Sequence, residues 1–191
     1  KTYNLARKIG FNNINVDLMI ALPNQTIQDI KENLEKITKL NPEHISVYSL
    51  ILEEGTPFYN KYNENKIKLQ DEEIERNMYW YVKNTLENNG YMHYEISNFS
   101  KKGFESKHNM NCWNQEEYLG FGVAAHSYNN RIRYSNTNSI EEYIKGSNKI
   151  IHEEQTLEDM QKEYMLLGLR KIEGINIQKF KNKFAQNPIF I

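Results

Sequence analysis

Between residues 13 and 20, Ile14, Val16, Leu18 and Ile20 alternate with Asn13, Asn15, Asp17 and Met19. A period of two places the apolar set on one face of a β-strand; a helix repeats every 3.6 residues. Leu22-Pro23-Asn24 breaks the strand, and Ile27, Ile30, Leu34, Ile37 and Leu40 then recur at helical spacing. Thr26 and Asp29 have capping-box spacing at the start of this helix, with aspartate where Glu or Gln is usual. Asn41-Pro42 ends it. A second strand is predicted over 44–52, with Ile45, Val47 and Ile51 as its outward set. A long helix over 71–88 carries the stripe Ile74, Met78, Val82 and Leu86 and stops at Asn89-Gly90. A third strand over 91–97 sets Met92, Tyr94 and Ile96 against His93, Glu95 and Ser97. Strands separated by helices predict an α/β fold built of parallel crossover units.

In a barrel of such units, one strand face packs under the helices and the other lines the interior. The first strand would then turn Asn13, Asn15 and Asp17 inward. An unpaired buried carboxylate costs several kcal/mol or shifts its pKa, so this polar row needs partners. A binding site supplies them; so do hydrogen bonds to neighbouring loops. His93 with Glu95 is a candidate inward acid–base pair, with a structural hydrogen bond the favoured alternative.

After Ser97 the pattern changes. Residues 98–114 are polar and turn-rich, and a small-residue run follows at 120–127. A hairpin is predicted around Asn129-Asn130, and the chain is linker-like near 147–155. A helix over 157–171 opens with Thr156 and Asp159 at capping-box spacing and stops at Gly174; Ile177, Phe180 and Phe184 begin another. The predicted domains are 1–135, a linker at 136–155, and the start of a helical C-terminal domain at 156–191.

Composition narrows the function classes. A net charge of −1 gives no electrostatic case for nucleic acid or an anionic membrane. No apolar run is long enough to form a transmembrane segment. Cys112 is the single cysteine, which excludes an intramolecular disulfide and fits a reducing, cytoplasmic compartment. No zinc-type spacing exists among the five histidines and Cys112. The start at Lys1 in a helix-like stretch, and the end at Ile191 within a helical pattern, read as a piece of a longer chain.

Several strings, taken in order, carry a resemblance. They are Gly10-Phe11, Ile14-Asn15-Val16-Asp17-Leu18-Met19 and Leu22-Pro23-Asn24-Gln25-Thr26; then Pro42-Glu43-His44-Ile45-Ser46-Val47-Tyr48 and Glu54-Gly55-Thr56-Pro57-Phe58. Tyr94-Glu95-Ile96-Ser97-Asn98-Phe99, His108-Asn109 with Cys112-Trp113, and Tyr118-Leu119-Gly120-Phe121-Gly122 through His126-Ser127 complete the set. Together they resemble the HemW-type branch of radical SAM proteins, heme chaperones related to oxygen-independent coproporphyrinogen III oxidases. The resemblance covers roughly 9–135, and 166–174 is similar to the start of the family's C-terminal domain.

The resemblance implies the C-terminal half of an incomplete β/α (radical SAM) barrel with parallel strands, followed by a small, partly helical C-terminal domain. It implies S-adenosylmethionine and a [4Fe–4S] cluster in an intact parent. The family's C-x3-C-x2-C motif and its Gly-Gly-Glu-type motif are missing here, so this chain alone is expected to be inactive. By the same resemblance Asp17 is a cofactor-site aspartate, with Met19 on the same face, and Ile51 lies near a contact to the same ligand. His126 stands where the oxidase branch has an aliphatic residue and the HemW branch a histidine. His108 begins a string tied to heme handling, in which Cys112 replaces a tyrosine. Were that segment helical, His108 and Cys112 would share a face, and both are known types of heme iron ligand. Ordinary packing is the alternative for each residue.

Three functions compete: a heme carrier delivering to respiratory heme proteins, an oxidase that decarboxylates the propionates of a porphyrinogen, and a non-catalytic binding module. The residues rank them in that order. A half barrel also leaves strand edges and apolar surface uncovered, so self-association is expected.

Overall fold

The structure is a computed structural model that describes residues 1–146 and 149–187. The chain divides into two compact units, Lys1–Glu105 and Ser106–Ile191.

The first unit runs α1 (Thr2–Ile9), β1 (Asn15–Ile20), α2 (Ile27–Leu40), β2 (His44–Ser49), α3 (Pro57–Asn63), α4 (Glu72–Asn88), β3 (Met92–Glu95) and β4 (Asn98–Ser100). Its sheet has the order β1-β2-β4-β3. The strands β1 and β2 are parallel, with Asn15 opposite His44, Asp17 opposite Ser46 and Met19 opposite Tyr48. The α2 crossover starts on the expected capping box, with Thr26 and Asp29 exchanging hydrogen bonds. It ends on Asn41, whose φ of 54° is left-handed and turns the chain toward β2. Alternation then sorts the side chains. Leu18, Ile20, Ile45 and Val47 are buried with Ile30 and Leu34 of α2 and with Met78, Val82 and Leu86 of α4. Each such burial is worth about 1.5–3 kcal/mol. Ile74 of the predicted stripe is 42% exposed at the first turns of α4.

Two strand expectations are corrected. The second strand ends at Ser49, so Ile51 leaves it and is 76% exposed. The third strand is two: β3 stops at Glu95, the chain reverses, and β4 inserts antiparallel between β3 and β2. Among the described residues, only β1 and β2 pair in parallel. The reversal follows from Glu95, which accepts from the Ser97 N–H (3.1 Å) and the Asn98 amide and so closes a tight turn.

Glu43 anchors the base of this unit. It is 9% exposed and accepts from Arg7 of α1 (2.5 Å) and the Ile14 N–H (3.1 Å), with Lys101 at 3.6 Å.

The second unit runs α5 (Lys107–Trp113), β5 (His126–Asn129), β6 (Ile132–Ser135), α6 (Ile140–Ile144), β7 (Ile150–Glu154), α7 (Leu157–Gly168) and α8 (Ile177–Phe184). The strands form an antiparallel sheet, β5-β6-β7. The expected hairpin is present, turning through Asn130 and Arg131 at φ of 50° and 67°. The stretch 136–155, read as a linker, instead carries α6 and a strand paired with β6. Ser147 and Asn148 of that stretch, and the chain end at Ile191, lie outside the described residues. The expected capping box of Thr156 and Asp159 opens α7, but the helix ends at Gly168 rather than 171. Tyr164, Phe180 and Phe184 form the apolar core of this unit. Beside it, Glu163 accepts from Gln115 (2.8 Å), Gln155 (3.0 Å) and Arg133 (2.5 Å).

Candidate ligand-binding site

The face of the first sheet turned away from α2 and α4 is polar, because alternation puts Asn15 and Asp17 of β1, and His44 and Ser46 of β2, on the side opposite the apolar core. On β4 the same rule places Phe99 in the core and Asn98 and Ser100 on the polar side. These groups are joined. Asn15 Nδ2 donates to Asp17 Oδ1 at 2.7 Å. Asn15 Oδ1 lies 2.7 Å from His44 Nδ1 and accepts from Ser46 Oγ at 3.2 Å. His44 Nε2 lies 2.7 Å from the Tyr94 hydroxyl. Tyr94 falls on this face by alternation, since its neighbour His93 stacks on core Phe99, and the β3–β4 register shifts between His93 and Glu95, a β-bulge at this position. Burial pushes the His44 pKa below its ordinary value against the charges of Asp17 and Glu105. Asn98 Oδ1 and Ser100 Oγ are buried without a hydrogen-bond partner among the described residues.

Asn15, Asp17 and Met19 are exposed on this face, Met19 at 43%, so the polar row shares one side of the sheet as expected but is not the buried row that was expected. Asn13 precedes the strand in an exposed loop. Ile51 lies past the C-terminal end of β2. His93 and Glu95 are held by different partners. His93 stacks on Phe99 at 4.5 Å and meets the Tyr79 hydroxyl at 3.2 Å, whereas Glu95 is bound to Ser97 and Asn98.

The other candidates belong to the second unit. The 107–113 segment is helical, and His108 Nε2 lies 3.9 Å from Cys112 Sγ on one face of α5. His108 is exposed, and its ring meets Tyr118 edge-on at 6.3 Å. Burial pushes the Cys112 thiol up, opposed by the charge of Arg133. His126 opens β5, exposed, with its ring stacked on His152 of β7 at 5.2 Å. His152 Nε2 lies 2.8 Å from Ser135 Oγ.

Gly120 sets the position of His126. A Cβ there would overlap the His126 carbonyl oxygen, and the Gly120 N–H donates to Ser127 Oγ at 3.0 Å. Gly120→Ala is expected to destabilise the chain by about 1–3 kcal/mol, an overpacking cost, and to unstack His126 from His152. Denaturant unfolding and the histidine ring shifts in NMR check both.

His44, Tyr94 and His152 were missed as site residues. His44 stood in a strand whose outward set drew attention, and His152 stood in the supposed linker. Their signal is the pairing of strands, which one sequence does not print.

No family model matches the chain. It is 44% identical over 181 residues to the heme chaperone HemW of Lactococcus lactis, covering 93% of this chain and 48% of that protein. To HemW of Bacillus subtilis it is 40% identical over 191 residues, covering 97% and 50%. The chain is a homologue of the HemW-type radical SAM proteins. The mitochondrial radical S-adenosyl methionine domain-containing protein 1 of Danio rerio is 30% identical over 198 residues, with coverage of 95% and 44%. The solved structure of the Escherichia coli coproporphyrinogen III oxidase HemN, a radical SAM enzyme, superposes with a TM-score of 0.74 at 19% identity. That match covers 96% of this chain and 46% of the oxidase, and it fixes the α/β radical SAM fold. The chain spans about half the length of the HemW relatives it matches.

Proposed function

We propose that this chain is the part of a cytoplasmic, HemW-type heme chaperone that holds S-adenosylmethionine at the Asp17 face and takes heme through His108. The observation that carries the reading is His108 itself. It is an exposed imidazole on α5, in a chain 44% identical over 181 residues to a protein named heme chaperone HemW. An exposed imidazole meets the requirement for a heme axial ligand. Heme or a porphyrinogen is the partner on this reading, and respiratory heme proteins are the recipients. Asp17 and Met19 line the cofactor side, and Ile51 lies beyond the C-terminal end of β2, where barrel ligands bind; in the second unit, His126 is the residue that the HemW resemblance singles out.

The cluster is a different matter. One thiol cannot hold a [4Fe–4S] cluster, and no group of three His, Cys, Asp or Glu fit to hold a metal occurs among the described residues. The rest of the parent is where the proposal puts it, and this chain's residues are assigned no radical step.

The fold match to HemN favours the second reading, a coproporphyrinogen oxidase. Heme titration of the intact parent separates the two. The chaperone reading expects a Soret shift on binding, lost or weakened at least about tenfold in His108→Ala, the equivalent of about 1.4 kcal/mol. Turnover of coproporphyrinogen with no heme binding overturns it.

A further inference from the structure

We propose that His44, held by Tyr94, is the positioning residue of the Asp17 site, through a one-way hydrogen-bond chain that aims Asp17 at a cationic, hydroxyl-bearing ligand of the S-adenosylmethionine type. This rests on the reading of Asp17 as a cofactor contact.

The direction of the chain follows from which atoms can donate. A carboxylate oxygen only accepts, so the Asn15 amide must turn its NH2 toward Asp17, at 2.7 Å. Its oxygen then faces the other way and can only accept. His44 Nδ1, 2.7 Å from that oxygen, therefore carries the proton. In the neutral ring Nε2 is left as an acceptor, so the Tyr94 hydroxyl donates to it at 2.7 Å. Ser46 adds a second donor to the Asn15 oxygen at 3.2 Å. Every arrow runs toward Asp17: Tyr94 to His44, His44 to Asn15, Asn15 to Asp17. The hydrogen-bond chain uses residues of β3, β2 and β1, reaching past β4, and so ties the carboxylate to the far edge of the sheet. Asp17 Oδ2 makes no hydrogen bond among the described residues, and this is the oxygen offered to a ligand's amine or hydroxyl donors.

The arrangement demands a neutral His44. The titratable groups facing it are Asp17 on β1, Tyr94 on β3 and Glu105 after β4. The two carboxylates pull toward protonation, and burial overrides them. Were the ring protonated, Nε2 would become a donor, Tyr94 would have to turn its hydrogen away, and a cation would sit one amide from Asp17. A cationic ligand would then bind less well. Affinity should accordingly fall as pH drops below the ordinary histidine value, about 6.5.

The test is equilibrium binding of S-adenosylmethionine to the intact, cluster-reconstituted parent, by isothermal titration across pH 5–8. Asp17→Asn tests the underlying reading. If it leaves affinity unchanged, that reading fails and the proposal falls with it. If Asp17→Asn weakens binding, His44→Phe is expected to weaken it about tenfold, and Tyr94→Phe less. His44→Asn keeps a donor in the Nδ1 position. It should bind within about threefold of the wild type at pH 7.5 and lose the acid limb of the pH profile. Unchanged affinity in His44→Phe, or an acid limb that persists in His44→Asn, overturns the positioning role. A folding defect alone would not remove the acid limb, so the profile decides even where His44→Phe is unstable.

Discussion

Phe99→Ala is expected to destabilise the first unit by about 3–5 kcal/mol, the usual cost of emptying an aromatic site in a core. Phe99 is fully buried on β4, opposite Ile45 of β2 and His93 of β3. It belongs to the cluster that joins the sheet to α2 and α4, and His93 covers it face to face at 4.5 Å. Stabilities of 5–15 kcal/mol are typical, so the variant should be partly unfolded at physiological temperature. Circular dichroism with denaturant titration measures this. A loss below about 1 kcal/mol would mean that β4 is not the central strand of this core.

The second large effect is at Glu43. Glu43→Ala removes the acceptor for Arg7, for the Ile14 N–H and for nearby Lys101. It leaves a backbone donor unsatisfied at the entry to β1 and unties α1. The expected loss is about 2–3 kcal/mol, in the range for a hydrogen-bonded charged acceptor. The contribution depends on pH. Burial raises the carboxyl's pKa, but the Arg7 hydrogen bond, the Ile14 N–H and the charges of Arg7 and Lys101 outweigh it and leave it below the ordinary value. A depressed carboxylate stabilises fully above its unfolded value, about 4.3, and the contribution is lost as pH falls through the folded value. Glu43→Ala should therefore differ most from wild type at neutral pH and converge with it in acid. Thermal melts from pH 3 to 7 show whether the curves meet.

Local rules made much of the chain readable. The alternation over β1, the apolar stripe of α2 and the capping boxes at Thr26 and Thr156 all act within a turn or two of the backbone, and each is where the residues put it. The same holds for the hairpin after Asn129, where two residues at positive φ give the twist that a tight turn needs. Elements held by distant partners were not readable. The strand β4 is three residues long, too short to show a period. All five residues of β7 are exposed, so its pairing with β6 leaves no buried row that a hydrophobic pattern could reveal.

The candidate site divides in the same way. Asn15 and Asp17 were visible as polar residues alternating with a buried apolar row, which put them together on the face away from the core. The sequence determined that much, because a strand's two faces are set by its own backbone. Only the tertiary structure decided what completes the face: His44 lies 29 residues from Asn15, and Tyr94 lies 50 from His44. Those contacts depend on the strand order β1-β2-β4-β3. Strand order is settled by how the whole sheet buries its apolar side under α2 and α4, a balance of many weak contacts that no short stretch of residues encodes.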